Sequence, residues 1–357
     1  MNLTLMVKLM PTTEQRDSLL STMERFNAAC NAIAEVAFEH KTANKIRLQQ
    51  MVYEDIRRDF GLSAQMTVRA IAKTCEAYKR DKKIQPSFRP HGAMVYDQRL
   101  LSWKGLDRVS ILTLDGRILV PVVFGKYQEA RMNRIRGQVD LIYRDGTFYL
   151  GVVVDLPEPP QDAAEGFLGV DLGIKNIAVD SDGETFSGGK MNGLRHRHAR
   201  LRQRLQAKGT KSAKRLLKKR RRKEMRFAMN ENHRISKMIV AKAKDTGRGI
   251  ALEDLKGIRD RITVRKAQRR QQHSWSFYQL RCFIEYKSRL AGVPVATVDP
   301  RNTSRTCIAC GNIDKKNRPT RDHFECVECG FAGPADTIAA VNIRRRAEVI
   351  QPYAGVF

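Results

Sequence analysis

Four cysteines fall as Cys307-x-x-Cys310 and Cys326-x-x-Cys329, two pairs separated by fifteen residues. Two such knuckles can supply four thiolates to one tetrahedral ion, which is the spacing of a structural zinc site. A closed four-thiolate shell leaves no position for water, so this zinc is expected to serve folding rather than chemistry. His323, between the pairs, reads as a surface histidine. The remaining cysteines, Cys30, Cys75 and Cys282, stand alone in apolar-periodic stretches and read as small core hydrophobes. An odd total distributed this way implies a reducing compartment.

The second set of reactive residues is acidic. Phe167-Leu-Gly-Val-Asp171-Leu-Gly173 places a carboxylate inside an apolar strand, a costly position unless the acid is paired or bound to metal. Ile250-Ala-Leu-Glu253 repeats the situation at the end of a second buried strand. Asp336 opens the last helix, where a helix N-terminus favours negative charge; taken alone, an N-cap is its simpler role. Taken together, the order strand-Asp, strand-Glu, helix-Asp is the one the ribonuclease H-like nuclease fold uses. Three acids so placed can hold two divalent ions about 4 Å apart, one activating water and one stabilising the leaving oxygen of an in-line phosphodiester attack. Hard oxygen donors of this kind suit Mg²⁺.

The elements that must position these groups are legible in outline. Met1–Met10 alternates like a strand, and Thr12 and Gln15 have capping-box spacing at the start of a helix whose stripe is Leu19, Met23, Phe26, Cys30, Ile33 and Ala37. Helix is expected to about Lys83. Two hairpins follow, Val109–Val123 with its turn at Asp115-Gly116 and Gln138–Val154 with its turn at Asp145-Gly146. The segment Pro157–Asp162 is a turn-rich linker, after which strands and helices alternate as in an α/β layer fold. Ala335–Arg346 reads as a helix.

Charge narrows the class of partner. Lys and Arg total 66 against 38 acids, a formal net charge of +28, which points to a polyanion. No apolar run is long enough to span a bilayer, so nucleic acid is preferred over membrane. Between Arg195 and Arg226 there are sixteen Lys or Arg and one acid, Glu224, with few aromatics. Like charges at that density repel unless neutralised, so this stretch is expected to be a basic helical arm that binds phosphates. Arg215, Lys218, Lys219, Arg220, Arg221, Arg222 and Lys223 are its candidate contacts.

Five stretches together resemble the TnpB family: Gly169-Val-Asp171-Leu-Gly-Ile-Lys-Asn, Asn232-His-Arg-Ile-Ser-Lys, Glu253-Asp-Leu, Thr303-Ser-Arg-Thr-Cys307 with its cysteine pairs, and Ala335-Asp336 followed by Ala339-Ala340-Val-Asn342-Ile343. The resemblance spans roughly Phe167 to Ile343. It implies an RNA-guided DNA endonuclease, related to type V CRISPR effectors, that also reads a short motif beside its target. The implied architecture is multidomain, α+β and α/β: a helical recognition module over 11–84, a small β-barrel-like wedge domain over 1–10 and 85–160, and a RuvC-like domain over 165–300 bearing the basic arm at 190–245. A zinc-ribbon insert at 301–333 and a closing helix at 334–350 complete it.

The resemblance also maps catalytic acids onto Asp171, Glu253 and Asp336, with Mg²⁺ or Mn²⁺ as cofactor, and zinc ligands onto Cys307, Cys310, Cys326 and Cys329. Arg305 matches a basic, phosphate-holding position. Guide RNA and double-stranded target DNA are the implied partners, a monomer is the expected state, and a cytoplasmic, nucleoid-associated location follows. One departure is visible: where the family has Asn two residues after the third acid, this chain has Ile338. The rival readings are a compact type V CRISPR effector, a guided repressor or transposase accessory that does not cut, and a transposase acting without RNA. Retention of all three acids argues against a nuclease-dead relative.

Overall fold

The proline-rich segment after the second hairpin is where the chain divides into two units, Met1–Pro157 and Glu158–Phe357. The structure, a computed structural model, describes residues 1–220, 222–255 and 277–350.

In the first unit, strand β1 (Asn2–Leu9) leads to helices α1 (Thr13–Glu39), α2 (Lys45–Phe60) and α3 (Ala64–Arg80). Thr12 and Gln15 form the capping box that starts α1, each side chain bonding the other's backbone N–H. All six residues of the α1 stripe are fully buried. Strands β2 (Met94–Tyr96), β3 (Leu101–Lys104), β4 (Arg108–Thr113) and β5 (Gly116–Val123), the one-turn helix α4 (Lys126–Glu129), β6 (Ile135–Arg144) and β7 (Thr147–Asp155) complete the unit. The strands form one seven-stranded sheet in the order β2-β6-β7-β1-β5-β4-β3. The sheet nearly closes into a barrel, because Tyr96 Oη on edge strand β2 donates to Leu112 O on β4, across from the other edge, at 3.2 Å.

Asp145 and Gly146 both take positive φ, +52° and +83°, so the β6–β7 hairpin turns where its Asp-Gly dipeptide indicates. The β4–β5 turn sits one residue earlier than expected, on Leu114-Asp115, because Gly116 already pairs with Thr113. Cys30 and Cys75 are core residues, whereas Cys282 is only half-buried.

In the second unit, β8 (Phe167–Asp171), β9 (Asn176–Asp180) and β10 (Thr185–Ser187) precede helices α5 (Gly189–Lys208), α6 (Lys211–Arg220) and α7 (Lys223–Asp245). Then come β11 (Gly249–Glu253), α8 (Phe277–Ala291), β12 (Val295–Val298), the short strands β13 (His323–Glu325) and β14 (Ala332–Pro334), and α9 (Ala335–Ile350). The main sheet has the order β10-β9-β8-β11-β12, with β8, β11 and β12 parallel and β9 and β10 antiparallel.

Period-two alternation gives this sheet two covered faces. Leu168, Val170, Ile250 and Leu252 join Ile235, Ile239, Leu280 and Ile284 of α7 and α8 in one core. Phe167, Ala251, Ala296 and Val298 meet Ile343 and Ala347 of α9 in the other. The Asn232-His-Arg-Ile-Ser-Lys motif clasps α7 to α8. Asn232 Nδ2 donates to Gln279 Oε1 at 3.0 Å, and Lys287 Nζ donates to His233 O and Ser236 Oγ at 2.6 and 2.7 Å.

Candidate active site and metal centre

Both strand acids stand at carboxyl ends. The parallel register pairs Val170 with Leu252, so Asp171 and Glu253, the next residue of each strand, come out side by side at the edge of the sheet. The third acid reaches them because α9 lies directly on β8. A Cβ at Gly169 would come within 2.0 Å of Ala340 O and 2.7 Å of Arg344 N, so only glycine admits the helix. That contact brings the first turn of α9, with Asp336, over the end of β8.

Two of the three acids, Glu253 and Asp336, have side-chain partners. Thr303 Oγ1 donates to Glu253 Oε1 at 2.5 Å, and Asn342 of α9 fixes the Thr303 turn by donating to Thr303 O and Thr306 O, both at 2.8 Å. Asn176, which opens β9, donates to Asp336 Oδ2 at 3.1 Å. Arg318 Nη2 donates to Asp336 Oδ1 at 3.2 Å. Burial, followed by the charges of Glu253 and Asp336, pushes Asp171 up to about 8 against the weaker pull of Arg318. Burial also raises Glu253, opposed by the Thr303 hydroxyl and the Arg346 charge. The three acids therefore share one electrostatic neighbourhood.

Thr303, Asn176, Asn342 and Arg318 are site residues that sequence reasoning missed. Thr303 and Asn342 lie within the motif stretches and Asn176 ends one, so position in a motif was a usable signal. Arg318 had none. Arg305 is exposed on the turn before the first knuckle, and its side chain has no hydrogen bond or ion pair among the described residues. Among the described residues, the cation paired with a carboxylate of the triad is Arg318.

The ribbon brings all four cysteine sulfurs within 4.8 Å of one another, the one such group of possible metal ligands among the described residues. Cys307 and Cys329 lie 3.6 Å apart, as do Cys310 and Cys326. A tetrahedral ion with bonds of about 2.3 Å needs ligand–ligand edges of about 3.8 Å, so the thiols fit zinc and would hold it as a folding cross-link. Under the knuckles, Cys307, Phe324, Cys326, Ala335 and Ile338 form a small core. Ile338, the departure from the family pattern, is 3% exposed and packs in that core, so it joins the helix carrying Asp336 to the ribbon. His323 is exposed and lies 3.7 Å from Glu325.

The basic stretch folds as α5 and α6, turning at Gly209 with φ +64°, and runs into α7. Arg215, Lys218, Lys219 and Lys223 are exposed, while Arg220 and Arg222 are half-buried; Arg221 lies outside the described residues. Glu224 is turned inward, 3.7 Å from Arg195 and 3.6 Å from Arg202. The outer surface of the arm is thus left to cations.

A mixed sheet covered on both faces, acids at its carboxyl edge and a four-cysteine ribbon beside them make up a multidomain α/β fold similar to that of Cas12 effectors. Residues 277–343 match the family described as Cas12f1-like, TNB domain. The chain is 32% identical over 244 residues to the CRISPR-associated endodeoxyribonuclease Cas12f1 of Sulfoacidibacillus thermotolerans, covering 63% of this chain and 55% of that protein. It is 25% identical over 271 residues to the TnpB-like protein MJ0751 of Methanocaldococcus jannaschii, covering 69% and 93%. The solved structure of the mini-RNA-guided endonuclease CRISPR-Cas_phi3 superposes with a TM-score of 0.60 at 11% identity, over 100% of this chain and 94% of that one, a likeness of fold. The chain is a relative of the TnpB-like and Cas12f1 proteins, as its motifs implied, and spans about half the length of the Cas12f1 it matches. No described helix is long and apolar enough to cross a membrane.

Proposed function

We propose that this protein is an RNA-guided DNA endonuclease whose second unit is a RuvC-like nuclease domain. The convergence of Asp171, Glu253 and Asp336 at one edge of the sheet carries the reading. The donor set is three carboxylates, all oxygen, with the charges of Glu253 and Asp336 close enough to raise the buried Asp171, which suits Mg²⁺ or Mn²⁺. When bound at Asp171, Glu253 and Asp336, a pair of such ions supplies an activated water and a stabilised leaving oxygen. Thr303 and Asn176 orient Glu253 and Asp336, and Asn342 holds Thr303 in place. Exposed cations of the α5–α6 arm, Arg215, Lys218, Lys219 and Lys223 among them, bind phosphates of guide or target without reading their sequence. Base pairing to the guide then selects the target, and the protein reads a short adjacent motif.

The test is cleavage of a plasmid library with a randomised motif beside a guide-matched target, using protein co-expressed with the RNA flanking its gene. Cutting at one enriched motif, dependent on Mg²⁺ and lost after ribonuclease treatment, supports the proposal. Cutting that survives ribonuclease makes the protein an unguided nuclease, and binding without cutting makes it a repressor. The match of 277–343 to the Cas12f1-like domain also favours a CRISPR-guided version of the same chemistry. Sequencing the co-purified RNA separates the two, since a repeat-derived guide would identify the CRISPR version.

A further inference from the structure

Arg318 leaves the ribbon just after a short 3-10 turn (Lys315–Asn317) and is held by its own loop: Nε and Nη2 donate to Arg321 O at 3.1 and 2.6 Å. With the guanidinium so anchored, Nη2 also reaches Asp336 Oδ1 at 3.2 Å. Asn176 occupies the other oxygen of the same carboxylate. Both side chains of the ion pair are largely covered, Arg318 at 26% and Asp336 at 17% exposure. The ribbon carrying Arg318 is fastened beside the triad by the Lys175–Asp322 ion pair and by the Ala335 N–H donating to Asp322 O at 3.1 Å. A cation is therefore built in at the carboxylate that a divalent ion would need.

We infer that Arg318 is the internal counter-cation of the acid triad, occupying Asp336 until a divalent ion displaces it and thereby lowering the affinity of the triad for that ion. This rests on the reading of the three acids as a metal site. Two effects act in the same direction. The guanidinium takes an oxygen that would otherwise be a free donor, and its charge repels an arriving cation across a few ångströms of partly excluded solvent. Lys at this position keeps the charge but loses the fork that bridges Arg321 O and Asp336.

The experiment is an Mn²⁺ titration of the zinc-loaded full-length protein, followed by the paramagnetic resonance signal of free Mn²⁺, with zinc content and melting temperature confirming that each variant is folded. Wild type, Arg318→Gln, Arg318→Lys and Asp171→Asn are compared. The expected result is Asp171-dependent Mn²⁺ binding that tightens about tenfold in Arg318→Gln, with Arg318→Lys between the two. Unchanged or weaker binding in Arg318→Gln, with Asp171-dependent binding intact in wild type, overturns the counter-cation role and makes Arg318 a support for Asp336 while leaving the nuclease reading standing. If Arg318→Gln does not fold, Arg318→Lys decides alone, since binding no tighter than wild type overturns the inference. Binding that is the same in wild type and Asp171→Asn removes the metal site, and the inference falls with it.

Discussion

The second unit gathers two sets of side chains, four thiols and three acids, and they are organised in opposite ways. The four ribbon thiols, which can be neutral, gather on one another to 3.6 Å in pairs. The three acids are kept in position from outside, by Thr303 on Glu253 and by Asn176 and Arg318 on Asp336, with Asp171 left to protonate. Thiols can collect around an ion by folding alone. Carboxylates repel, so the fold supplies outside supports for Glu253 and Asp336, and those supports come from the ribbon side as well as the sheet. The ribbon thus helps hold the acid cluster in place as well as gathering its own four thiols.

That contrast can be broken most sharply at Gly169. Gly169→Ala forces a Cβ to within 2.0 Å of Ala340 O, and α9 has to lift. A loss of about 3 kcal/mol is expected in chemical denaturation. Gly193→Ala, in α5 with nothing within 4 Å of the new methyl, should instead gain about 0.5–1 kcal/mol. Equal effects at the two glycines would mean that α9 does not rest on β8 as described.

Next in size is the ribbon. Cys326→Ser should remove the zinc measured by plasma mass spectrometry, and because Phe324 and Ile338 share its small core, cleavage should fall with it. Full cleavage by a zinc-free protein would separate the two sites that the structure joins.

A smaller effect concerns pH. The Asp171 carboxyl lies above its unfolded value of 3.8, at about 8, so the folded state holds a proton there that the unfolded state releases. Its contribution to stability is fully present below about pH 4 and is lost as the pH rises through about 8. Without added divalent salt, the melting temperature of wild type should therefore fall relative to Asp171→Asn between pH 5 and pH 8. Parallel curves would contradict the crowding of the three acids.

The smallest effect is on the arm. Replacing Lys218 and Lys219 by Ala should lower the slope of log affinity against log salt by about 0.7–0.9 for each phosphate that the arm no longer neutralises. An unchanged slope would mean that neither lysine touches the nucleic acid.

The sequence showed the site's chemistry better than its scaffolding. Asp171 and Glu253 stood out because an acid at the end of an apolar strand breaks the local pattern, and the cysteine pairs because their spacing matches a metal's geometry. Arg318 could not be found that way. It is one cation in a strongly basic chain, and its role depends on where the ribbon docks. Arg305, chosen by its place in a motif, proved to be solvent-exposed. Ile338 looked like a blemish in the helix and is instead a core residue of the ribbon, which becomes apparent only once Phe324 is seen beneath it. The Leu114-Asp115 turn was misplaced by one residue because Gly116 fits a turn or the first position of a strand equally well by type.

The most direct test of the account is a comparison of wild type with Asp171→Ala, each loaded with the same guide RNA, on one matched plasmid in Mg²⁺, scoring binding and cleavage in the same samples. The acid triad predicts that binding stays within about twofold while cleavage drops about a thousandfold or more. Cleavage at the wild-type rate by Asp171→Ala would contradict it.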